Sequence, residues 1–538
     1  MTAHTITLAA ASTEVPEIGR IIAIAGSAAE ITLDARLLSL AAAHGWVEPG
    51  AIGSHLKLRI GDRWIVAQLR TLRLADADSD LLLGTIDFIG EGRDRDGMLV
   101  AFQRGVTRLP MPGCPLLPLN ERDLAQVYAT DSRPHITIGT VEQTAGIRAA
   151  LYVDPLLSRH FAIVGSTGTG KSSSTALILH RICDAAPAGH ILMIDPHGEY
   201  AASFSDRGAV FDVGNLALPY WLMNSAEHAE ILVTASGPEG QVDRDILGKC
   251  LLAARARNRA AEGLTRLTVD SPIPYILSDL GSILAQEMGK LDKGGVGAAP
   301  YMRLKARLDE IKADPRYAFM FSGMLVADSM ADTLARLLRL PGEGKPIAII
   351  DLSGVPSEIT SVVVALLGRL IFDHAIWSRG SDRRPVLLVC EEAHRYVPAE
   401  GWAPARAVLE RIAKEGRKYG VALGLISQRP SDLAEGVLSQ CGTIVAMRLN
   451  NEHDQRKVRA AVPEGARGLI DAIPALRNRE AVVVGEAVAI PIRLAFDDLE
   501  PERLPASHDP SFAGEWQHSL ADRATLDRTI KRWRTQAR

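Results

Sequence analysis

Four things are scarce or missing in this 538-residue chain, and each narrows what it can be. The five cysteines, Cys114, Cys183, Cys250, Cys390 and Cys441, are scattered and include no C-x-x-C pair. An odd, dispersed set suits a reducing cytoplasm rather than a disulfide framework. The opening stretch MTAHTITLAAAS has no lysine or arginine, so it does not read as a secretory leader. No apolar run reaches the length of a membrane span; Val362–Phe372 comes nearest and is short and broken by Arg369. Excess charge of one sign is lacking too, since 60 basic and 64 acidic residues leave −4 at pH 7. That does not suggest a surface coated with positive charge for nucleic acid, but a local basic channel remains compatible with it.

What is present is ordinary globular composition, 47% hydrophobic and 23% charged, over a length that calls for two to four domains. The informative stretch is FAIVGSTGTGKSSSTALILHRI, Phe161 to Ile182. Four apolar residues predict a buried strand, and helical periodicity returns from Thr175. Between them Gly165, Ser166, Thr167, Gly168, Thr169, Gly170, Lys171 and Ser172 fit the phosphate-loop pattern G-x-x-x-x-G-K-[ST] in full. Glycines let the backbone curl so that successive N–H groups face a polyphosphate, and the following helix aims its positive end at the same anion. Lys171 would neutralise the outer phosphates and Ser172 would hold Mg²⁺, with Ser173 next in the cradle.

Upstream, residues 1–15 are expected to be disordered, and 16–118 carry short alternating runs that predict a small β-barrel. These runs are Ile18–Ala25, Glu30–Leu33, His55–Ile60, Arg63–Arg70, Leu81–Ile89 and Met98–Phe102. The proline-rich PMPGCPLLP, Pro110–Pro118, reads as a linker. A helix, Glu121–Tyr128, and a hairpin, His135–Val141 with Ala149–Val153, lead into the nucleotide domain.

Downstream, Gly189–Ile194 predicts a strand ending in Asp195-Pro-His-Gly-Glu199-Tyr200. Its acids either line a ligand edge or form a capped turn, and the sequence leaves both open. Leu218–Met223 is an aromatic hook suited to core packing. Residues 225–340 read as a helical insertion, with Gly294–Pro300 a flexible interruption. A strand from Val386 ends in Glu391 and Glu392, the form of a Walker B strand. Neighbouring strand residues face opposite ways, so Glu391 would hold Mg²⁺ through water and Glu392 would polarise the attacking water. Gln428, at the tip of strand Val421–Ile426, is placed to sense a γ-phosphate or to orient water. Arg417 and Arg429 are candidate charge stabilisers, or cations complementing a helix end. After Asp497 the tail reads as an extended strap, and then as a basic amphipathic helix over Gly514–Thr535.

Six motifs in order, GSTGTGKS, IDPHGEY, LPYWLMNS, VCEEAHRYVP, RIAKEGRKYG and ISQRPSDL, resemble the HerA ATPases of the HerA–FtsK group. The resemblance runs from about residue 16 to 500. It implies an α/β fold, a RecA-like P-loop ATPase core over 119–224 and 341–500, interrupted by the 225–340 insertion and preceded by the 16–118 barrel, with a 501–538 strap. It also implies a cytoplasmic homo-hexamer that uses ATP and Mg²⁺ to move double-stranded DNA through its pore, beside a nuclease or sirtuin-like effector. Repair and anti-phage defence are both within the family's range. By the same resemblance Glu392 is the catalytic acid, Gln428 the sensor, Arg417 the finger reaching a neighbouring subunit, and Arg159 a nucleotide-facing arginine. The alternative is a ring scaffold in which ATP binding assembles and activates an effector without directed DNA movement. A membrane-anchored pump of the same broad group is disfavoured by the missing membrane run.

Overall fold

Alternating burial along the first strands wraps them around one apolar interior. In the computed structural model, which describes residues 17–43, 50–76, 79–142, 144, 146–290, 297–322, 325–506, 512–517 and 522–535, these are β1 (Gly19–Ala25), β2 (Ala28–Asp34), β3 (His55–Ile60), β4 (Arg63–Leu74), β5 (Leu81–Arg95), β6 (Met98–Arg104) and β7 (Pro115–Pro118). Because β2 pairs with β5 as well as β1, the order β2-β1-β7-β3-β4-β5 closes on itself, with β6 added outside β5. Ile21, Ile31, Leu33, Leu56, Leu58, Ile65 and Ile86 fill the interior. Closure removes the edges along which open sheets pair with other chains.

Two details depart from the expectation. Pro115–Pro118, read as part of a linker, is the strand that joins β1 to β3. Its prolines lack N–H groups, yet its carbonyls still accept: Ile18 N donates to Leu116 O at 2.9 Å. Helix Ala35–Ala43 was not expected; the Asp34 carboxylate caps it, accepting from Arg36 N (2.8 Å) and Leu37 N (3.2 Å).

Leu56 and Leu58 face the barrel interior, so Lys57 points the other way. Helix Glu121–Val127 covers it there. The Lys57 ammonium lies 2.6 Å from Asp123 Oδ2 with both side chains out of solvent, and Leu99 N donates to the other oxygen at 3.0 Å. Strands β8 (His135–Val141) and β9 (Arg148–Tyr152) form the expected hairpin.

Six short strands then build a parallel sheet: β10 (Phe161–Val164), β11 (Ile191–Asp195), β12 (Gly208–Phe211), β13 (Ile347–Asp351), β14 (Val386–Cys390) and β15 (Val421–Ser427). Their order is β12-β13-β11-β14-β15-β10, with every pairing parallel. The strands are apolar almost throughout, as strands covered on both faces must be. Helix Ser357–Trp377 is long and apolar enough to span a membrane by composition, but most of it is buried in the protein. The charge within it, Arg369, makes two 2.8 Å bonds to Glu227 and donates to Leu222 O at 2.6 Å.

The insertion is helical as expected, from Ser225–Leu232 through Met330–Leu338. Of the flexible stretch expected at Gly294–Pro300, residues 294–296 lie outside the described residues, and helix Ala299–Ala313 begins within it. The aromatic hook is core: Tyr220 and Trp221 are fully buried, and Tyr220 Oη donates to Tyr275 O at 2.5 Å. Beneath it Arg255 is wholly buried, donating to the carbonyls of Met223 (2.7 Å), Ser271 (2.6 Å) and Val269.

Strands β16 (Thr443–Met447), β17 (Glu480–Gly485) and β18 (Ile492–Phe496) complete an antiparallel set β16-β17-β18-β8-β9. The chain groups into two compact units. One holds the barrel and this antiparallel set, residues 1–155 and 443–497; the other holds the parallel sheet and the insertion, residues 156–442 and 498–538. The tail carries two exposed helices, Phe512–Gln517 and Arg523–Thr535, where one was expected. The disorder expected at residues 1–15 falls outside the described residues.

Removing Lys57 alone would strand a buried carboxylate. Lys57→Ala should therefore destabilise the chain by about 3–5 kcal/mol, and Lys57→Met paired with Asp123→Leu by clearly less. Denaturant melts of the two variants check the order.

Candidate active site

The carboxyl ends of parallel strands are where an α/β sheet gathers chemistry, and here three of them converge. The phosphate loop leaves β10 and folds back on β15, with Gly165 N bonded to Ser427 O at 3.3 Å. Gly168 and Gly170 adopt φ of 76° and 92°, conformations that glycine takes without strain, so the motif's glycines are required by the turn. Thr169 Oγ1 donates to Ser166 O at 2.8 Å and braces the loop. Helix Lys171–Ala185 starts directly after it. Lys171 is buried, with Nζ 3.5 Å from Ser166 O. Burial pulls its ammonium below the usual 10.5, opposed by the nearby charges of Glu391, Glu392 and Glu199. Ser172 and Ser173 follow, half-buried, on the first turn.

The acids come from the next strand but not in the expected way. β14 ends at Cys390, so Glu391 and Glu392 sit in the turn beyond it instead of on opposite faces of a strand. Glu392 takes a left-handed backbone, φ 50° and ψ 44°, a strained choice for a side-chain-bearing residue and of the kind that collects at functional sites. Both acids act on the Lys171 charge. Burial, then Glu392, push the Glu391 carboxyl up to about 8. Glu392 is buried, and its Oε2 makes no hydrogen bond although His394 Nδ1 lies 3.2 Å away. His394 Nδ1 also stands 3.2 Å from Ser427 Oγ, and burial holds the imidazole below its usual 6.5, in its neutral form.

Gln428 closes the third side: Thr167 Oγ1 of the phosphate loop donates to Gln428 Oε1 at 2.5 Å. Phosphate loop, Lys171, Ser172, Glu391, Glu392 and Gln428 thus gather at the carboxyl edge of the sheet. Asp195 resolves the choice left open for its turn. It is fully buried and accepts from His197 N (3.2 Å), Gly198 N (2.9 Å) and Tyr200 N (2.9 Å), so it caps the turn. The turn delivers Tyr200 instead, whose phenol donates to Glu391 Oε2 at 3.3 Å. Tyr200 was visible in its motif but unassigned, and a polar ring in an otherwise small, acidic turn was the available signal.

Two arginines lie elsewhere. Arg417 is exposed in the last turn of helix Pro404–Tyr419, which ends at Gly420; Val386 N, at the start of β14, bonds Gly420 O at 2.9 Å. Arg159 precedes β10 and its carbonyl accepts from Gly442 N at 2.7 Å. Both therefore stand at the amino edge of the sheet, a strand's length from the chain's own phosphate loop. Arg429 is exposed, 3.6 Å from Asp432.

A glycine loop of this geometry, a buried lysine and an unbonded carboxylate oxygen on a parallel sheet define a P-loop ATPase. The family described as Helicase HerA, central domain, matches residues 136–371. The DNA double-strand break repair helicase HerA of Pyrococcus furiosus is 26% identical over 442 residues, 76% of each chain. The probable DNA double-strand break repair helicase HerA of Methanocaldococcus jannaschii is 26% identical over 509 residues, covering 86% of this chain and 95% of its own. Among solved structures, VirB4 of Thermoanaerobacter pseudethanolicus shares the fold, with TM-score 0.50 and 15% identity over 69% of this chain and 98% of its own. Over its central part the chain is similar to the HerA helicases, and it is a P-loop ATPase that hydrolyses ATP.

A carboxyl raised from 4.5 to about 8 keeps, in the folded protein, a proton that the unfolded chain has given up. Folding stability therefore falls as pH rises from about 5 to about 8. Glu391→Gln removes that dependence, so its melting temperature without nucleotide should gain on the wild type across the window. A constant difference in thermal melts at the two ends would contradict the assignment.

Proposed function

We propose that the chain forms a homo-hexameric ring that spends ATP, with Mg²⁺, to move double-stranded DNA. The observation that carries this reading is the separation of Arg417 from its own site. β14 runs from Val386, beside the Arg417 turn, to Cys390, beside Glu391. At about 3.3 Å per residue that interval is roughly 13 Å, too far for an arginine side chain to bring its charge to its own γ-phosphate. An exposed arginine in that position serves a neighbour, and a closed ring gives every copy both halves of a site.

Within one site the proposed roles are these. The loop N–H groups and Lys171 hold the polyphosphate. Glycines at positive φ and the unbonded Glu392 oxygen fit nucleotide and an attacking water. Ser172 and Glu391 would hold Mg²⁺, whose charge would offset that of the phosphate oxygens. Glu392, next to neutral His394, orients and polarises the water; Gln428, tied to Thr167, reports the outer phosphate. Arg417 of the adjacent copy offsets developing charge in the transition state, as does its Arg159 at the same edge. DNA binds in the pore through phosphate contacts. The motor works in the cytoplasm, consistent with five free cysteines, and feeds a nuclease or sirtuin-like effector in end processing or anti-phage defence.

ATP hydrolysis by the purified chain should rise several-fold with linear double-stranded DNA, and the stimulation should fade as salt rises from about 50 to about 200 mM. Hydrolysis indifferent to DNA, but rising when an effector is added, would replace the motor with a scaffold.

A further inference from the structure

Tyr200 is fully buried, and its ring is delivered by a turn with almost no freedom. Three N–H groups of the turn bind Asp195. Ala506 N, from the chain's tail, bonds Glu199 O at 2.8 Å, and Phe204 N bonds Tyr200 O at 3.2 Å. Gly198 has φ 71°, and a side chain there would meet the Asp351 carboxylate at 3.0 Å, so the turn has a single path. A phenol held this deep needs partners, because a buried hydroxyl without one costs about 1–3 kcal/mol. Its hydrogen-bond partner is Glu391 Oε2, at 3.3 Å, and the hydroxyl of Ser172 lies beside the phenol. Among the described residues, no other side-chain hydrogen bond reaches the Glu391 carboxylate.

We propose that Tyr200 is a positioning residue that bridges Ser172 of the phosphate loop and Glu391 of the acid turn, presetting the pair that takes the magnesium ion. The inference rests on the reading of Ser172 and Glu391 as the magnesium pair. The two come from different strands, β10 and β14, which are not neighbours, since β15 runs between them. The backbone ladder relates them only through β15, and the phenol adds a direct link between their side chains. Glycine-loop contacts to the phosphates are untouched by it. Removing the hydroxyl should therefore weaken the metal's part in binding and leave the nucleotide's own part intact.

The test is binding of a fluorescent ATP analogue to the full chain, titrated with Mg²⁺ and repeated in EDTA. Tyr200→Phe, which keeps the ring and its packing, should raise the Mg²⁺ needed for half-saturation about tenfold, with affinity in EDTA within about twofold of wild type. Placed on Ser172→Ala, the same change should add less than about twofold, because the bridge is already cut. An unchanged Mg²⁺ requirement in Tyr200→Phe overturns the proposal. So does an equal loss of affinity in EDTA, which would mean that the ring only packs the loop. If wild type and Ser172→Ala respond identically to Mg²⁺, the magnesium pair itself is wrong, a separate failure that these controls identify.

Discussion

The constraint behind the whole arrangement is the direction of the parallel strands. Every strand in the six-stranded sheet runs the same way, so everything that follows a strand lies at one edge and everything that precedes it at the other. The phosphate loop follows β10, the acids follow β14 and Gln428 follows β15. Arg417 and Arg159 precede strands. A stiff ladder about 13 Å long stands between the two sets, and side chains cannot cross it. On the proposed reading, the site at one edge is completed by the charges that a neighbouring copy holds at the other.

Holding acids and a lysine at the carboxyl edge is unfavourable on its own. Burial works against the charge of both Lys171 and Glu391, and Glu392 adds a left-handed backbone. Partial compensation comes from within, since each acid favours the ammonium and the ammonium favours the Glu391 carboxylate. Stability comes from the surroundings: apolar strands, the buried helix Ser357–Trp377 pinned by Arg369 to Glu227, and the hook closed over Arg255. Active sites are commonly strained where the scaffold can sustain it.

How far the sequence could be read depended on how local each constraint was. The phosphate loop was legible because positive φ demands glycine within eight residues. The apolar strands were legible because a doubly covered strand leaves no polar position to misread. Pro115–Pro118 was misread because proline marks loops locally, while its place between β1 and β3 is set by partners tens of residues away. The Glu391–Glu392 geometry was hidden for the opposite reason: strand alternation was assumed two residues too far, into the turn that swings Glu392. Asp195 and Tyr200 looked alike as turn residues, and only the hydrogen bonds separate the cap from the side chain that enters the site.

The shared site is tested most directly by mixing two inactive variants. Arg417→Ala lacks the donated charge and Lys171→Ala lacks the acceptor site, so neither should hydrolyse ATP alone. In mixed rings some interfaces pair an intact phosphate loop with an intact arginine, and ATP hydrolysis should reappear, greatest near equal proportions. Arg417→Ala active on its own, or mixtures that stay silent at every ratio while exchange of subunits is seen, would contradict a site built from two copies.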